Sequence, residues 1–140
     1  MNAAIYRMLA MFCLVTGLGS LCLMAEGPIQ VTIPFDFIVG SKSFTAGDYN
    51  VRPDLTSTVL AIQSVDGQSA AMALTQSLHA INKPGRTRLV FNRYGDQYFL
   101  SQVWMHGSRG RALTPSPAER ELIAKTRSAK PVTLVASGTK

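Results

Sequence analysis

Cysteine is absent from the last 118 of the 140 residues, because Cys13 and Cys22 both lie near the amino terminus. No disulfide can form beyond residue 22, so the rest of the chain must be stabilised by packing alone. Long apolar runs are missing as well. The longest, Met8 to Val15, is well short of the roughly 18 to 20 residues that span a bilayer, although Leu18 to Ala25 partly extends it.

The first 25 residues differ in kind from the rest. They hold 19 of the 65 apolar residues and leave 46 in the other 115 positions, an ordinary share for one soluble domain. A positive charge at Arg7, a short apolar run and a small-residue end are typical of a secretory signal peptide. We expect a signal peptide over residues 1–25, cleaved after Ala25 or a few residues earlier, and a periplasmic or extracellular protein. A membrane anchor and lipid attachment at Cys22 are the alternatives.

Few residues beyond this segment are suited to catalysis or metal binding. His79 and His106 are the two histidines, each in a predicted loop, and neither is spaced as a metal ligand with another His, Asp or Glu. A metal site usually needs three or four ligands. Asp48, Asp66 and Asp96 each adjoin a glycine in a predicted turn, where aspartate commonly bonds the local backbone. We therefore expect no enzyme activity, no metal site and no cofactor.

Alternation of apolar and polar residues predicts strands along most of the chain. Residues 29–39 alternate throughout, and Pro34 on the polar phase indicates an edge strand or a bulge. Further strand-like segments follow at residues 44–51, 58–64, 69–75, 87–93 and 97–105. Asp66-Gly67 predicts a tight hairpin, and Tyr94-Gly95-Asp96 predicts a second one.

Six such segments joined by short turns predict a mainly β fold, an antiparallel meander that forms a small barrel or sandwich. Ser116-Pro117-Ala118-Glu119 is a capping box with proline at the first helical position. It predicts one C-terminal helix over residues 116–127, packed through Ala118 and Leu122 and stopped by Pro131. We expect a single β-rich domain over residues 26–127, which includes this helix, and a tail over 128–140 in which residues 132–135 could add an edge strand.

Several segments together resemble a known type of protein. They are VTIPFDFIVG at residues 31–40, AGDYNV at 46–51, LVFNRYGDQYFLSQVW at 89–104 and AEREL at 118–122. In these the chain resembles a family of small exported bacterial β-rich proteins of unassigned function, over about residues 30–125. The resemblance implies export and a β-rich fold, and it implies nothing about activity.

Charge is divided unevenly along the chain. Residues 26–82 hold two bases and five acids, a net charge of −3, whereas residues 83–140 hold 11 bases and three acids, a net charge of +8. Arginine outnumbers lysine seven to four in the basic half, and guanidinium suits bidentate capture of phosphate or carboxylate. A contact surface is predicted from six arginines, Arg86, Arg88, Arg109, Arg111, Arg120 and Arg127. The alternative is a solvated surface on which acidic and basic halves interleave after folding.

These observations predict an exported, non-catalytic interaction or structural module of the cell envelope, whose partner is an anionic envelope component or an acidic protein. Membrane contact is expected only at the surface, and nucleic acid is not expected because no recognised binding motif is present. The alternative function is a β-barrel carrier of a small ligand, in which the alanine-rich run 70–73 faces Phe91, Phe99 and Trp104. A six-stranded barrel is normally filled by its own side chains, which favours the module.

Overall fold

The computed structural model describes residues 27–53, 58–82, 85–107 and 109–135. The predicted signal peptide, its cleavage site and the end of the predicted tail lie outside the described residues. The described part contains ten strands and one helix. In chain order the strands are β1 (Ile29–Ile33), β2 (Phe37–Val39), β3 (Lys42–Phe44), β4 (Gly47–Pro53), β5 (Val59–Ser64), β6 (Ala70–His79), β7 (Arg88–Tyr94), β8 (Gln97–Trp104), β9 (Arg109–Leu113) and β10 (Lys130–Val135), and helix α1 is Pro117–Thr126.

The strands form a large open mixed sheet, and the described chain is mainly β with one helix, as predicted. The strand order is β1-β4-β5-β6-β9-β8-β2-β3, while β7 pairs with β8 and β10 pairs with β7. This is not the sequential antiparallel meander that was predicted, because β1 pairs with β4 and β2 lies parallel to β8. The length of β6 is one cause, since its first half pairs with β5 and its second half with β9.

The long alternating run at residues 29–39 forms two strands instead of one. Pro34 has no N–H to donate to a strand ladder, and the chain leaves the sheet at residues 34–36. Asp36 in this interval accepts a hydrogen bond from the backbone N–H of Ala46 at 2.9 Å, which fixes the entry to β4. The predicted edge position is confirmed, because β1 is the end strand of the sheet.

Both predicted hairpins are confirmed. β5 and β6 pair antiparallel through a loop in which Gly67 has a φ of +76° and donates to the Ser64 carbonyl. This loop is longer than a two-residue turn, because Ser64 and Ser69 close it with a 2.8 Å backbone bond. β7 and β8 pair across two residues, the first of which is Gly95 with a φ of +60°, as a type II′ turn requires.

Buried side chains from strands that are distant in the sheet order form one hydrophobic cluster. Val51, Leu60 and Ile62 reach it from β4 and β5, and Leu89 and Phe91 reach it from β7, all without measurable exposure. The alternation of β7 therefore turns Leu89 and Phe91 to the core. The residues of the cluster come from strands far apart in the sheet order, so the core is shared by most of the sheet.

The three aromatic residues expected to line a ligand space do not share one face. Phe91 lies in the core cluster, with its ring 5.6 Å from that of Phe37. Phe99 pairs with the residue after Phe91, so alternation turns its side chain to the outer face, where its ring lies 5.7 Å from Tyr94. Trp104 also lies on the outer face, next to β9. This arrangement does not provide the aromatic interior that the carrier hypothesis assumed.

Helix α1 begins as predicted, because the side-chain oxygen of Ser116 accepts from the Glu119 backbone N–H at 3.2 Å. It ends at Thr126, one residue before the predicted boundary. Arg127 adopts a left-handed φ of 53° and its N–H donates to the carbonyl of residue 123. The stop is therefore this left-handed cap rather than Pro131.

The packed side of α1 has a charged residue at its centre. Glu119 is only 6% exposed, and its Oε1 accepts from Tyr94 Oη at 3.2 Å and from Asn92 Nδ2 at 3.4 Å. Leu122 is half-buried, but Ala118 is exposed, so the predicted contact through Ala118 is wrong. A buried carboxylate is tolerated where the neighbouring element supplies donors, and β7 supplies both of them here.

The predicted edge strand is present and longer than expected. β10 pairs with β7 along six residues, from Lys130 opposite Arg93 to Val135 opposite Arg88. Residues 130–135 of the predicted tail therefore belong to the sheet. Pro131 fits because β10 pairs with β7 alone, so one side of the strand needs no ladder donors.

Candidate anion-binding end of the sheet

Strand register brings several cationic residues to one end of the sheet. Arg88 begins β7 and lies opposite Trp104, at the end of β8. Arg109 begins β9 and lies opposite His79, at the end of β6. The Met105 N–H donates to the Arg109 carbonyl at 3.1 Å, which joins β8 and β9 at this end. Four strand termini thus meet in one region.

A cleft of about 490 Å³ opens at the same end. It is lined by residues from the start of β1, the end of β4 and the ends of β7 and β8, namely Gly27, Pro28, Ile29, Arg52, Pro53, Thr87, Met105 and His106. Arg86 precedes Thr87 in the chain and is exposed. We call this region the basic end and define it by Arg52, His79, Arg86, Arg88, His106 and Arg109.

The acidic residues that the structure describes lie at the opposite strand ends. Asp66 and Asp96 are in the β5–β6 and β7–β8 turns, and the Val65 N–H donates to the Asp48 carbonyl at 3.0 Å. Lys42 lies there too, because its Nζ donates to the Ala70 carbonyl at 2.8 Å. We call this the mixed end and define it by Asp36, Lys42, Asp48, Asp66, Arg93, Asp96, Glu119 and Lys130.

Carboxylates at the mixed end are committed to local structure. Asp48 accepts from the Thr32 hydroxyl, which ties β4 to β1. Asp66 accepts from the Ser64 hydroxyl and from the Gln68 N–H, and the first of these contributes most to holding the pKa of Asp66 below its usual value. The bonds of Asp66 within its own loop are those expected of a turn aspartate.

Of the six predicted binding residues, the structure brings three together. Arg86 and Arg109 are exposed at the basic end. Arg88 is half-buried, its guanidinium 5.6 Å from the Trp104 ring centroid, and its Nε is buried without a hydrogen-bond partner in the described part of the chain. The basic end therefore offers two solvent-facing guanidinium groups from the predicted set, with a third held against the sheet.

The other three predicted residues lie elsewhere. Arg111 is 6% exposed and donates to the Ser77 hydroxyl at 2.9 Å, because its register opposite Val103 turns it to the inner face. Arg120 and Arg127 are exposed, but they belong to α1 and its cap. This helix packs where β7 approaches Tyr94, roughly 17 to 20 Å along the strand from Arg88. The six arginines therefore do not converge on one surface.

Sequence reasoning missed two residues that line the cleft at the basic end. Arg52 lies in the net-acidic half of the chain, and His106 was expected to be an isolated loop residue. The pairing of β1 with β4 and the return of β8 bring them to the same cleft. No local pattern in the sequence indicates this meeting, because it depends on strand partners far apart in the chain.

The basic end carries charge that the described fold leaves available. Arg52, Arg86 and Arg109 are exposed, and their guanidinium groups make no hydrogen bond or ion pair with any residue that the structure describes. No aspartate or glutamate lines the cleft among the described residues. Like charges without internal counter-ions favour an external anion. Chemically, this end can bind carboxylate or phosphate groups.

Comparisons with known proteins do not indicate a function for this chain. The chain matches no protein-family model, no curated protein and no solved structure. The resemblance to small exported bacterial proteins therefore stays a prediction. Within the described ranges no helix is long and apolar enough to cross a membrane. The same ranges contain no group of three or more His, Cys, Asp or Glu side chains placed to hold a metal ion.

Proposed function

We propose that the protein is an exported, non-catalytic interaction module of the cell envelope that binds an anionic envelope component through the basic end. The observation that carries this proposal is the separation of charge between the strand ends. Asp36, Asp48 and Asp66 at the mixed end accept hydrogen bonds, whereas the guanidinium groups of Arg52, Arg86 and Arg109 at the basic end make no hydrogen bond or ion pair with the described residues. Guanidinium groups bind phosphate and carboxylate with defined geometry, which suits recognition of such a component.

A sandwich-like fold supports surface binding over an interior ligand. We infer that the open sheet folds into two facing layers, one with β1, β4 and β5 and one with β7, β8 and β9. The support is the single core cluster, in which Leu60 and Ile62 of one layer join Leu89 and Val103 of the other. A core filled by its own side chains leaves ligand binding to the surface.

The carrier hypothesis keeps one supporting observation, which is the cleft at the basic end. Its volume of about 490 Å³ is within the usual range for small-molecule sites. The cleft lies at the end of the sheet, away from the alanine-rich run of β6 on which that hypothesis first rested. A carrier would therefore hold its ligand between strand ends and not inside a barrel.

Retention on lipid vesicles tests the proposed module. The protein purified from the cells that make it is applied to vesicles containing phosphatidylglycerol and to vesicles of phosphatidylcholine alone, each at low and high salt. We expect retention on the anionic vesicles only, and a loss at high salt because exposed charges are screened over about 8 to 10 Å. Immobilised anionic envelope polysaccharide forms a second arm, which separates a polymer partner from a lipid head group.

Two double variants with the same charge change provide the matched control. Arg86→Glu with Arg109→Glu reverses charge at the basic end, and Arg120→Glu with Arg127→Glu reverses it at α1. We expect the first pair to abolish retention and the second to reduce it slightly. Equal loss in both pairs would show that net charge alone governs retention and would overturn the proposal, as would retention that salt does not affect.

Export is tested separately by intact mass. Protein recovered from the native host is expected to begin near Glu26. A mass that retains Met1 would contradict export with cleavage. An added lipid mass on Cys22 would instead support anchoring at the membrane.

A further inference from the structure

The cleft at the basic end combines a carbon-rich lining with cationic groups at its mouth. Its described lining includes Ile29, Pro28, Pro53 and Met105, and the Met105 side chain is 6% exposed. Arg52 and His106 line the same cleft and are exposed. Pockets that hold small molecules are largely apolar, with a few polar groups that orient the ligand.

The backbones of two further arginines adjoin this lining. Arg86 precedes Thr87, which lines the cleft, and Arg109 is bonded through its carbonyl to the Met105 N–H at 3.1 Å. No acidic side chain among the described residues lines the cleft. A ligand that fits this site has an apolar part for the apolar lining and an anionic group for the arginines.

We propose that this cleft binds a small amphipathic anion, whose apolar chain contacts Ile29, Pro53 and Met105 and whose carboxylate or phosphate head binds Arg52. The proposal rests on the proposed function, because the head group uses the same basic end that contacts the envelope. It adds the ligand class, since a purely ionic partner would have no use for the apolar wall. The apolar part accounts for affinity by burial, and the head group fixes orientation.

Methyl-labelled methionine provides a direct readout of this site. Met105 lines the cleft, whereas Met72 is exposed on the outer face of β6 and lines a second groove that Arg52 also borders, so its signal reports binding on that other side of Arg52. The full protein as isolated is titrated with decanoate, with decanol as the neutral analogue of equal chain length, and with inorganic phosphate as a head group alone. We expect decanoate to shift the Met105 methyl signal in a saturable manner and to leave Met72 unmoved.

Variants separate head-group recognition from general charge. Arg52→Gln is expected to weaken decanoate binding about tenfold, since a hydrogen bond to a charged group is lost. Arg120→Gln on α1 removes the same charge and is expected to change the affinity less than twofold. Both residues are exposed, so neither change is expected to unfold the protein.

Each outcome either supports the inference or overturns it. A Met105 shift that saturates with decanoate, weakens in Arg52→Gln and exceeds the shifts from decanol and phosphate supports it. An unmoved Met105 signal, an equal effect of decanol, or an equal effect of phosphate overturns it. If vesicle retention depends on Arg86 and Arg109 while decanoate leaves Met105 unmoved, the cleft inference fails and the proposed function stands. If decanoate binds but anionic vesicles do not, the proposed envelope contact fails instead.

Discussion

The two ends of the sheet use charged residues in different ways. At the mixed end, Asp36 fixes the entry to β4, Asp66 closes a hairpin loop, and Glu119 joins α1 to β7. At the basic end, the guanidinium groups of Arg52 and Arg109 have no polar partner among the described residues. The net charge of each half of the sequence does not predict this difference between the two ends, because Arg52 belongs to the acidic half. What matters is whether each charge has a structural partner.

This difference separates residues that stabilise the fold from residues available for binding. Substitutions at the mixed end should change stability, because they break bonds within the protein. Substitutions of the exposed arginines at the basic end should change binding and leave the free energy of unfolding within about 0.5 kcal/mol of wild type. The basic end also has a buried floor, Trp104, whose ring centroid lies 5.6 Å from the Arg88 guanidinium.

The largest effect is expected from Trp104→Ala. Trp104 is 9% exposed, and its indole N–H donates to Gln102 Oε1 at 2.8 Å. Truncation should lower the free energy of unfolding by about 3 to 5 kcal/mol. Urea unfolding followed by far-ultraviolet circular dichroism measures this, since Trp104 is the single tryptophan and fluorescence is lost with it.

Met72→Ala is the control, because Met72 is large, apolar and exposed on β6. Its stability should stay within about 0.5 kcal/mol of wild type. If the stability of Trp104→Ala is as close to that of wild type as the stability of Met72→Ala, the burial of Trp104 is contradicted. Trp104 would then be a surface residue of the basic end that is available for binding.

Gly110→Ala probes the same floor from β9. A Cβ built at Gly110 would lie 2.6 Å from Cε3 of Trp104, and the flat ring has no flexible end that can move aside. We expect a loss of about 1 to 3 kcal/mol from overpacking, together with a changed near-ultraviolet signal from Trp104. Gly47→Ala is the matched control, since its Cβ would meet nothing nearer than Tyr49 Cε2 at 3.9 Å. Equal effects of the two substitutions would argue against the close approach.

Local signals explain why much of the mixed end could be predicted from sequence. Turn glycines at positions 67 and 95, the Ser116 cap and the alternation around Leu89 each act within a few residues, so their structural effect can be read from the chain. The burial of Glu119 was missed because its donors lie on β7, about 25 residues earlier in the chain.

The basic end shows why the remaining features could not be predicted. Its cleft depends on pairing between β1 and β4 and on the division of β6 between two partners. Arg111 turns inward because β9 pairs so that Arg111 lies opposite Val103. Such registers depend on packing across the whole sheet, so arginine content predicted an anion-binding class without the correct set of residues.

Tyr94→Phe should have a smaller effect, and it tests the structural role of charge at the mixed end. The Tyr94 hydroxyl donates to the buried Glu119 at 3.2 Å, so its removal should cost about 1 to 2 kcal/mol. Tyr98→Phe is the matched control on β8, where the ring stacks on Phe35 and its hydroxyl has no hydrogen bond to the described chain. Equal stability of the two variants would contradict the bond to Glu119.

The same tyrosine gives an alkaline prediction. Burial, and then the nearby Glu119 carboxylate, raise the pKa of Tyr94 above its ordinary value of 10.0. Its contribution to stability is therefore fully present below pH 10.0 and declines as the pH rises through the raised value. Wild-type stability should fall more steeply than that of Tyr94→Phe in this range. Parallel pH profiles would show that Tyr94 titrates alike in folded and unfolded chains.

The smallest effect is expected from Asp66→Asn in the β5–β6 loop. The Ser64 hydroxyl, and then the Gln68 N–H, lower the pKa of Asp66 below its usual value of 3.8. A depressed pKa contributes stability above pH 3.8 that is lost as the pH falls through the folded value. The difference between wild type and Asp66→Asn should therefore be present at neutral pH and shrink in acid.

Ser64→Ala supplies the control for this last comparison, because it removes the donor with the largest effect on the Asp66 pKa. In the Ser64→Ala background, the acid-dependent part of the stability change caused by Asp66→Asn should become smaller. A double-mutant cycle measured at neutral and acidic pH isolates this part. An unchanged difference across pH would contradict a structural role for this carboxylate. Asp66 would then be an unpartnered charge, like the arginines at the basic end, and the contrast between the two ends would be reduced to the sign of their charge.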